Sequence, residues 1–392
     1  MLRALPDDQR WWWIASTALA VLCTLCVGWM WYAVHDGYQP EEDQLTDQAT
    51  VETFLREHQE THGGGADEPP IYVSTGIFLQ SLSFSSAWDI SISGYVWQTY
   101  FDGEHDGVSR GFVLPEAVDS PNSGVMEETY RRPIRRQTPD GVRTGEVIGW
   151  YVEATLRQRF DYTHYPLDHK EVWVRLWHED FDRNVILVPD LDSYLSTGVA
   201  DTFGVEEQIV LGGWDIEESY YRYRLSNYDT NFGIPDYVGQ TAFPELYFNV
   251  VIRRDFLNAF VLNLVPLLVV AALLFAVLMT VTRRSERKEN LGSDMTNVLA
   301  AISALFFVVL LAHTQVRDTF ESQRVVYMEH FYLLMYVTLI GVAIVTYFFN
   351  VGEGRSADVL RWRDGLAFKL GYWPFTTGVA LVLTWLAFAD VL

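Results

Sequence analysis

Five long stretches almost free of charge limit what this chain can fold into. Trp11–Val34, Phe256–Thr282, Phe331–Gly352 and Gly371–Ala389 contain no Asp, Glu, Lys, Arg or His, and Met295–Val316 contains only His313. A hydrocarbon core about 30 Å thick is crossed by about 20 helical residues. Helices of globular proteins rarely run this far without a polar face. The pattern therefore predicts five membrane-spanning helices.

The first run, within residues 1–34, reads as an N-terminal transmembrane anchor or a signal sequence. It is longer than the apolar core of a secretory signal. Trp11, Trp12, Trp13, Trp29, Trp31 and Tyr32 lie near its two ends, as interfacial aromatics do in a spanning helix. Cys23 and Cys26, the chain's two cysteines, both lie in this run, which leaves no disulfide for the remainder.

Basic residues orient the spans, because cytoplasmic loops are enriched in Lys and Arg. Arg3 and Arg10 precede the first run; Arg283, Arg284, Arg287 and Lys288 follow the second; Arg355, Arg361, Arg363 and Lys369 follow the fourth. Placing all three groups inside predicts a multi-pass protein of the inner (plasma) membrane with a cytoplasmic amino terminus. The large segment His35–Asp255 then lies on the periplasmic or extracellular side.

That segment divides at residue 70. Residues 35–70 are polar, contain Gly63-Gly64-Gly65 before Pro69-Pro70, and read as a solvated tether with a short helix over Thr46–His62. From Ile71 apolar residues recur with period two, the mark of strands. Ile90, Ile92 and Val96 alternate with polar residues in Trp88–Tyr100. Val172, Val174 and Leu176 do so in Glu171–Trp177, and Leu246, Phe248, Val250 and Ile252 in Glu245–Arg253. Further strands are expected at Ile71–Phe84, Glu146–Gln158, Val185–Pro189 and Gly213–Tyr223, and an elaborated loop region at Asp102–Gly141. Short strands without intervening helices argue for a β-sandwich. The expected fold is a β-sandwich extracytoplasmic domain over 71–254, then a four-helix transmembrane bundle over 255–392, with the extra N-terminal helix in front.

Several stretches, in order, carry a family likeness. Tyr162-Thr163-His164-Tyr165-Pro166-Leu167-Asp168 has an aromatic–Pro–apolar–Asp core, with Phe160 and Lys170 near the places where flanking cysteines would fall. Gly94-Tyr95-Val96-Trp97 and Gly213-Trp214-Asp215-Ile216-Glu217 precede a junction Arg254-Asp255-Phe256, and Pro266 follows twelve residues after Arg254. From Ile71 to Leu392 the chain resembles the prokaryotic pentameric ligand-gated ion channels of the cysteine-loop receptor superfamily, whose bacterial members lack the loop disulfide. The amino-terminal helix and tether, and a long connection between the first two channel helices, depart from that family.

The resemblance implies a homopentamer in membrane lipids, in which a small-molecule or ion ligand on the sandwich gates a transmembrane pore. It implies a coupling interface of Asp168, Arg254, Trp88 and Pro166, where a carboxylate and a guanidinium can pair; a surface pair of little consequence is the alternative. It makes Met295–Val316 the pore helix. Steps of three and four allow two pore faces. One is Leu299, Ser303, Phe306, Leu310 and His313, ending at Arg317, and is the face preferred here. The other is Thr296, Ala300, Ser303, Phe307, Leu310 and Thr314, also ending at Arg317. Either closes by a hydrophobic ring, and either also fits plain helix packing, as in a non-conducting membrane sensor built on the same fold.

Asp294 is the candidate selectivity residue, and with a net charge of −23 it suggests a cation-leaning pore. An aromatic ligand cleft between subunits is expected from Trp177, Phe181, Tyr228, Phe232 and Tyr237, with Tyr100 from the next subunit. Aromatic faces attract organic cations, although a chain this rich in aromatics also uses them for packing. No cofactor is required. Calcium as a modulator is suggested by Glu104, Asp106, Asp180 and Asp182, although their spacing fits no established calcium loop. The acidic balance disfavours nucleic acid. The absence of phosphate-loop, zinc and nucleophile-elbow motifs argues against an enzyme.

Overall fold

The computed structural model describes residues 7–58, 69–118, 124–138, 141–209, 211–234, 242–282, 295–320, 325–351 and 362–389. The chain divides into two compact units. One comprises Gln39–Phe160 and His169–Arg254. The other comprises Met1–Tyr38, Asp161–Asp168 and Asp255–Leu392.

The first unit is rich in β structure. Its strands are β1 (Ile71–Phe84), β2 (Asp89–Phe101), β3 (Phe112–Val113), β4 (Ala117–Val118), β5 (Val125–Thr138), β6 (Gly141–Arg157), β7 (His169–His178), β8 (Val185–Pro189), β9 (Trp214–Ser226) and β10 (Phe243–Arg254). Six form one sheet in the order β4-β6-β2-β1-β8, with β5 also on β6; four form the other, β3-β7-β10-β9. β2 and β7 alternate strictly between buried and partly exposed positions. The alternating Ile90, Ile92, Val96, Val172, Val174 and Leu176 are all core. Side chains from the two sheets meet: Phe112 is edge-on to Trp150 at 5.6 Å, and the Tyr223 hydroxyl donates to the Leu187 carbonyl at 2.9 Å.

Two expectations for this unit are corrected. Within 102–141 the chain builds β3, β4 and the 14-residue β5, which pairs with β6 from Val125 to Thr138. β5 is solvent-exposed along most of its length and carries Arg131, Arg132, Arg135 and Arg136, so it lacks the apolar alternation that marks a half-buried strand. The tether is also more than a solvated linker. Its helix, α2 (Gln48–His58), buries Val51 and Leu55. Gly63–Gly65 lie outside the described residues.

Among the described residues, the second unit holds five helices long and apolar enough to cross a membrane: α1 (Asp7–His35, with Gln9–His35 as the span), α3 (Phe256–Thr280), α4 (Met295–Thr319), α5 (Tyr327–Asn350) and α6 (Leu366–Phe388). The Asp255 carboxylate caps α3 by accepting from the Leu257 and Asn258 amides. A π-helical turn at Phe260–Leu264 precedes Pro266, where the missing amide hydrogen interrupts regular helix bonding. α1 runs along α6, with the Ser16 hydroxyl donating to the Leu370 carbonyl. Near its other end the Trp31 indole donates to the Tyr327 hydroxyl at 2.7 Å, and that hydroxyl lies 2.6 Å from the Thr384 hydroxyl. The Lys369 ammonium caps the end of α3 by donating to the Val281 carbonyl at 2.6 Å.

Candidate functional site

The β9–β10 turn and the end of β7 bring four of the expected ligand residues together. Trp177 lies 5.6 Å from both Phe181 and Tyr228 and 6.1 Å from Phe232, ring centre to ring centre; Phe232 is 5.5 Å from Phe181 and 5.6 Å from Tyr228. Mostly tilted and edge-on contacts at these separations suit the aromatic quadrupole. Phe232 sits in the left-handed backbone region at φ 52° and is 40% exposed, so the cluster presents aromatic surface at its rim.

A carboxylate organises the cluster from below. Glu245, 2% exposed, accepts from the Trp177 indole at 2.6 Å, the Tyr228 hydroxyl at 2.6 Å, the Ser226 hydroxyl and the Arg175 guanidinium at 3.2 Å. Arg175 also pairs with Glu116 and lies 5.2 Å from the Trp177 ring. Burial works against the Arg175 charge, but Glu245, Tyr247 and Glu116 outweigh it and raise its pKa. Burial raises the Glu116 pKa against the pull of Arg175. Burial, and then the bond to Glu245, raises that of the Tyr228 phenol far above its usual range. Sequence reasoning missed Glu245 because β10 alternates on the Leu246 face, which leaves Glu245, Tyr247 and Asn249 on a face expected to be exposed. β10 lies between β7 and β9, and both of its faces are buried.

The cavity under the aromatic rings has a volume of about 20 Å³ and is walled by Leu176, Val185 and Leu187 as well as the rings. That is room for about one water. A cavity of that size encloses no organic molecule.

Tyr100 does not join these residues. It is 1% exposed, its hydroxyl donates to Gln98 at 2.6 Å and accepts the Gly111 amide at 3.2 Å, and Arg110 lies 4.3 Å over its ring. It faces inward on β2 and is a core residue, which corrects the expectation that it faces a neighbouring subunit. Tyr237 lies outside the described residues.

The expected calcium carboxylates are engaged elsewhere. Glu104 pairs with Arg143 at 2.9 Å, Asp106 accepts the Gly103 amide at 3.0 Å, and Asp180 accepts the Ser109 amide at 2.8 Å. Asp182 joins no metal-like group with them. Among the described residues no three His, Cys, Asp or Glu side chains converge as a metal site. Beside this region His178 is 2% exposed and accepts the Asp180 amide at 3.0 Å through Nδ1. Burial pushes its pKa down to about 4, with Arg110 and His105 adding to the effect and Asp180 opposing it.

Of the coupling residues, Pro166 and Asp168 are buried in the segment 161–168. By its contacts this segment belongs with the helices, although it was expected within the strand-built domain 71–254. The Tyr162 and Tyr165 rings pack on Phe320 at 5.1 and 4.6 Å, and the Thr163 and Tyr165 carbonyls accept the amides of Tyr327 at 2.8 Å and Met328 at 3.2 Å. In the β-rich unit, Trp88 sits in the β1–β2 turn, where its carbonyl accepts the Gln158 amide at 2.8 Å. The Arg254 guanidinium stacks 3.9 Å over the Trp214 ring.

On α4 the residues of the preferred pore face divide. Val298, Ile302, Val309 and Val316 form the helix's buried stripe. Phe306 and His313 turn toward α5: Phe306 lies 5.7 Å from Tyr336, and His313 stacks on Tyr332 at 5.2 Å. His313 Nε2 lies 3.4 Å from Glu329, which is 3% exposed and accepts from Arg317 at 3.1 Å and from the Val326 amide at 2.8 Å. Leu299 is half-buried, while Ser303 and Leu310 are exposed. The second face leaves more surface unpartnered in the chain, with Phe307 61% exposed and Ala300 and Thr314 also exposed. Asp294 lies outside the described residues.

No protein-family model matches this chain, and no curated protein matches it.

Proposed function

We propose that this protein is a subunit of a homopentameric ligand-gated ion channel, a member by likeness of the prokaryotic cysteine-loop receptor group. In this reading the two sheets are the halves of a periplasmic β-sandwich, α3 to α6 are the four-helix pore domain, and α1 is an added anchor. The observation that carries it is the segment 161–168. It leaves the strands after β6 and returns at β7, yet its aromatic rings and carbonyls are held by Phe320, Tyr327 and Met328. A loop owned by both elements is a physical route by which a change among strands reaches the start of α5 and the end of α4.

The ligand site in this reading is the rim of Trp177, Phe181, Tyr228 and Phe232, closed by a neighbouring subunit. Its aromatic faces, set over a carboxylate-braced base, suit a small organic cation. The pore face is Ala300, Ser303, Phe307, Leu310 and Thr314, revised from the face that includes Phe306 and His313 because those two are committed to α5. A ring of Phe307 and Leu310 closes the pore by dewetting. The negative charge of the chain makes the pore cation-leaning.

The test is purified protein in planar bilayers, with particle mass measured in the same detergent. Five copies per particle and discrete cation currents are expected. Particles of one or two copies would end the reading. Intact pentamers silent under every ligand and pH would favour the second reading, a non-conducting membrane sensor. That alternative draws on one observation: Phe307 and Leu311, the latter 70% exposed, make the open surface of α4 strongly apolar.

A further inference from the structure

We infer that residues 39–58 form a strap that holds the aromatic cluster in its present arrangement through β9. β9 is the last strand of its sheet, and an edge strand presents unpaired backbone groups. The strap takes up part of that edge: the Leu45 amide donates to the Tyr221 carbonyl at 2.8 Å in an antiparallel bridge, and the Leu45 side chain is 4% exposed. The Gln44 amide donates to the buried Glu218 carboxylate at 3.0 Å, and the Thr46 carbonyl accepts from Thr197 at 2.7 Å. The helix Gln48–His58 then lays Val51 and Leu55 into the unit and stacks Phe54 on Tyr223 at 5.0 Å. A linker that only spanned a gap would need none of these contacts.

From β9 two short routes reach the cluster. The Tyr223 hydroxyl, under Phe54, donates to the Leu187 carbonyl, and Leu187 walls the cavity beneath the four rings. Three residues further along β9, the Ser226 hydroxyl donates to Glu245, the carboxylate that also holds Trp177 and Tyr228. The strap therefore fixes both the floor of the cluster and the start of the turn that carries Tyr228 and Phe232. Only Asp36, Gly37 and Tyr38 separate it from the end of α1, so a displacement of the first membrane helix has a covalent path into β9. The contacts that define the strap do not depend on the cluster's being a ligand site; the consequence for ligand does rest on that reading.

The experiment is hydrogen exchange by mass spectrometry on the full chain in detergent, comparing the parent with Phe54→Ala and Leu45→Asp. Exchange in peptides covering residues 214–234 is expected to accelerate about tenfold, equivalent to about 1.4 kcal/mol of lost local protection. Acceleration confined to residues 39–58, with 214–234 unchanged, would overturn the inference. If Leu45→Asp does not fold, Phe54→Ala decides alone, because it removes one partly exposed ring and leaves the bridge intact. Calorimetry with tetramethylammonium is the second arm. A parent that binds and a Phe54→Ala variant that binds about threefold or more weakly supports the strap's hold on the site; equal affinity counts against it. A parent that does not bind removes the ligand reading of the cluster, and the exchange result still decides the strap.

Discussion

The Trp177 indole and the Glu245 carboxylate are joined by a 2.6 Å hydrogen bond between neighbouring strands, β7 and β10. The bond makes a buried charge-bearing group the anchor for an aromatic surface. Glu245 also holds Tyr228, Ser226 and Arg175, so each donor's orientation depends on one residue.

Glu245→Ala should therefore cost far more than the loss of one hydrogen bond. It leaves Glu116 as the one remaining carboxylate of the three-membered cluster with Arg175, whose guanidinium also donates to the Tyr228 hydroxyl at 3.1 Å, and leaves the indole and the phenol without their acceptor. Breaking a buried ion pair from one side costs about 3–5 kcal/mol. Thermal unfolding of the full chain in detergent should show a lowered midpoint. Glu245→Gln, which keeps an acceptor for Trp177 and Tyr228, should lose less. Equal, small losses for both would mean that the carboxylate does not organise the site.

The pH dependence of stability should carry the signature of His178. Its pKa in the fold is about 4, below the ordinary value of 6.5. The unfolded chain thus binds a proton that the fold rejects. Stability from this group is complete above about pH 6.5 and declines as pH falls toward about 4, by about 3 kcal/mol in total. Unfolding measured at intervals between pH 7 and 4 should slope down on acidification, and the slope should be shallower in His178→Gln. Parallel curves for the parent and the variant would contradict the assignment.

The helices were legible because membrane thickness demands a long apolar run, and no packing detail can disguise one. The strands at Ile90–Val96 and Val172–Leu176 were legible for a similar reason, since burial on one face enforces alternation. What stayed hidden depends on partners distant in sequence. β5 is a strand because β6 supplies its hydrogen bonds, while its own arginines suggest a loop. The strap's Val51 and Leu55 stand four residues apart, as on one face of a helix, and a short helix was expected there; the bridge from Leu45 to β9 was not, because a lone apolar residue in a polar stretch does not name its partner. At the site, Trp177, Phe181, Tyr228 and Phe232 could be picked by residue type. Glu245 could not be distinguished from a surface carboxylate until β10 was found between two other strands. Tyr100 was misjudged for the converse reason: its ring follows the inward face of β2.

The contact of α1 with the other helices gives a quantity that can be measured directly. Trp31→Phe removes the donor to Tyr327, and Tyr327→Phe removes that acceptor along with the hydroxyl next to Thr384. A double-mutant cycle on thermal stability in detergent should return a coupling of about 0.6–1.7 kcal/mol between the two side chains. Strict additivity would mean that the Trp31–Tyr327 hydrogen bond adds nothing to the hold of α1 on the other helices.

Two neighbouring phenylalanines on α4 should respond differently to truncation. The Phe306 ring is turned toward Tyr336 of α5, while Phe307 is largely unpartnered. Under the channel reading, Phe307→Ala removes part of the closing ring, lets water into the constriction and raises resting current in bilayers. Phe306→Ala instead takes packing from the α4–α5 contact, so its main effect should be a lowered unfolding midpoint, with a loss of up to about 3–5 kcal/mol for a well-packed ring and less for one still partly exposed. Recordings paired with unfolding curves of the same preparations separate the two. A larger resting current from Phe306→Ala than from Phe307→Ala would return the pore to the face that includes His313. No current from either, with pentamers intact, would place α4 among packing helices and favour a sensor.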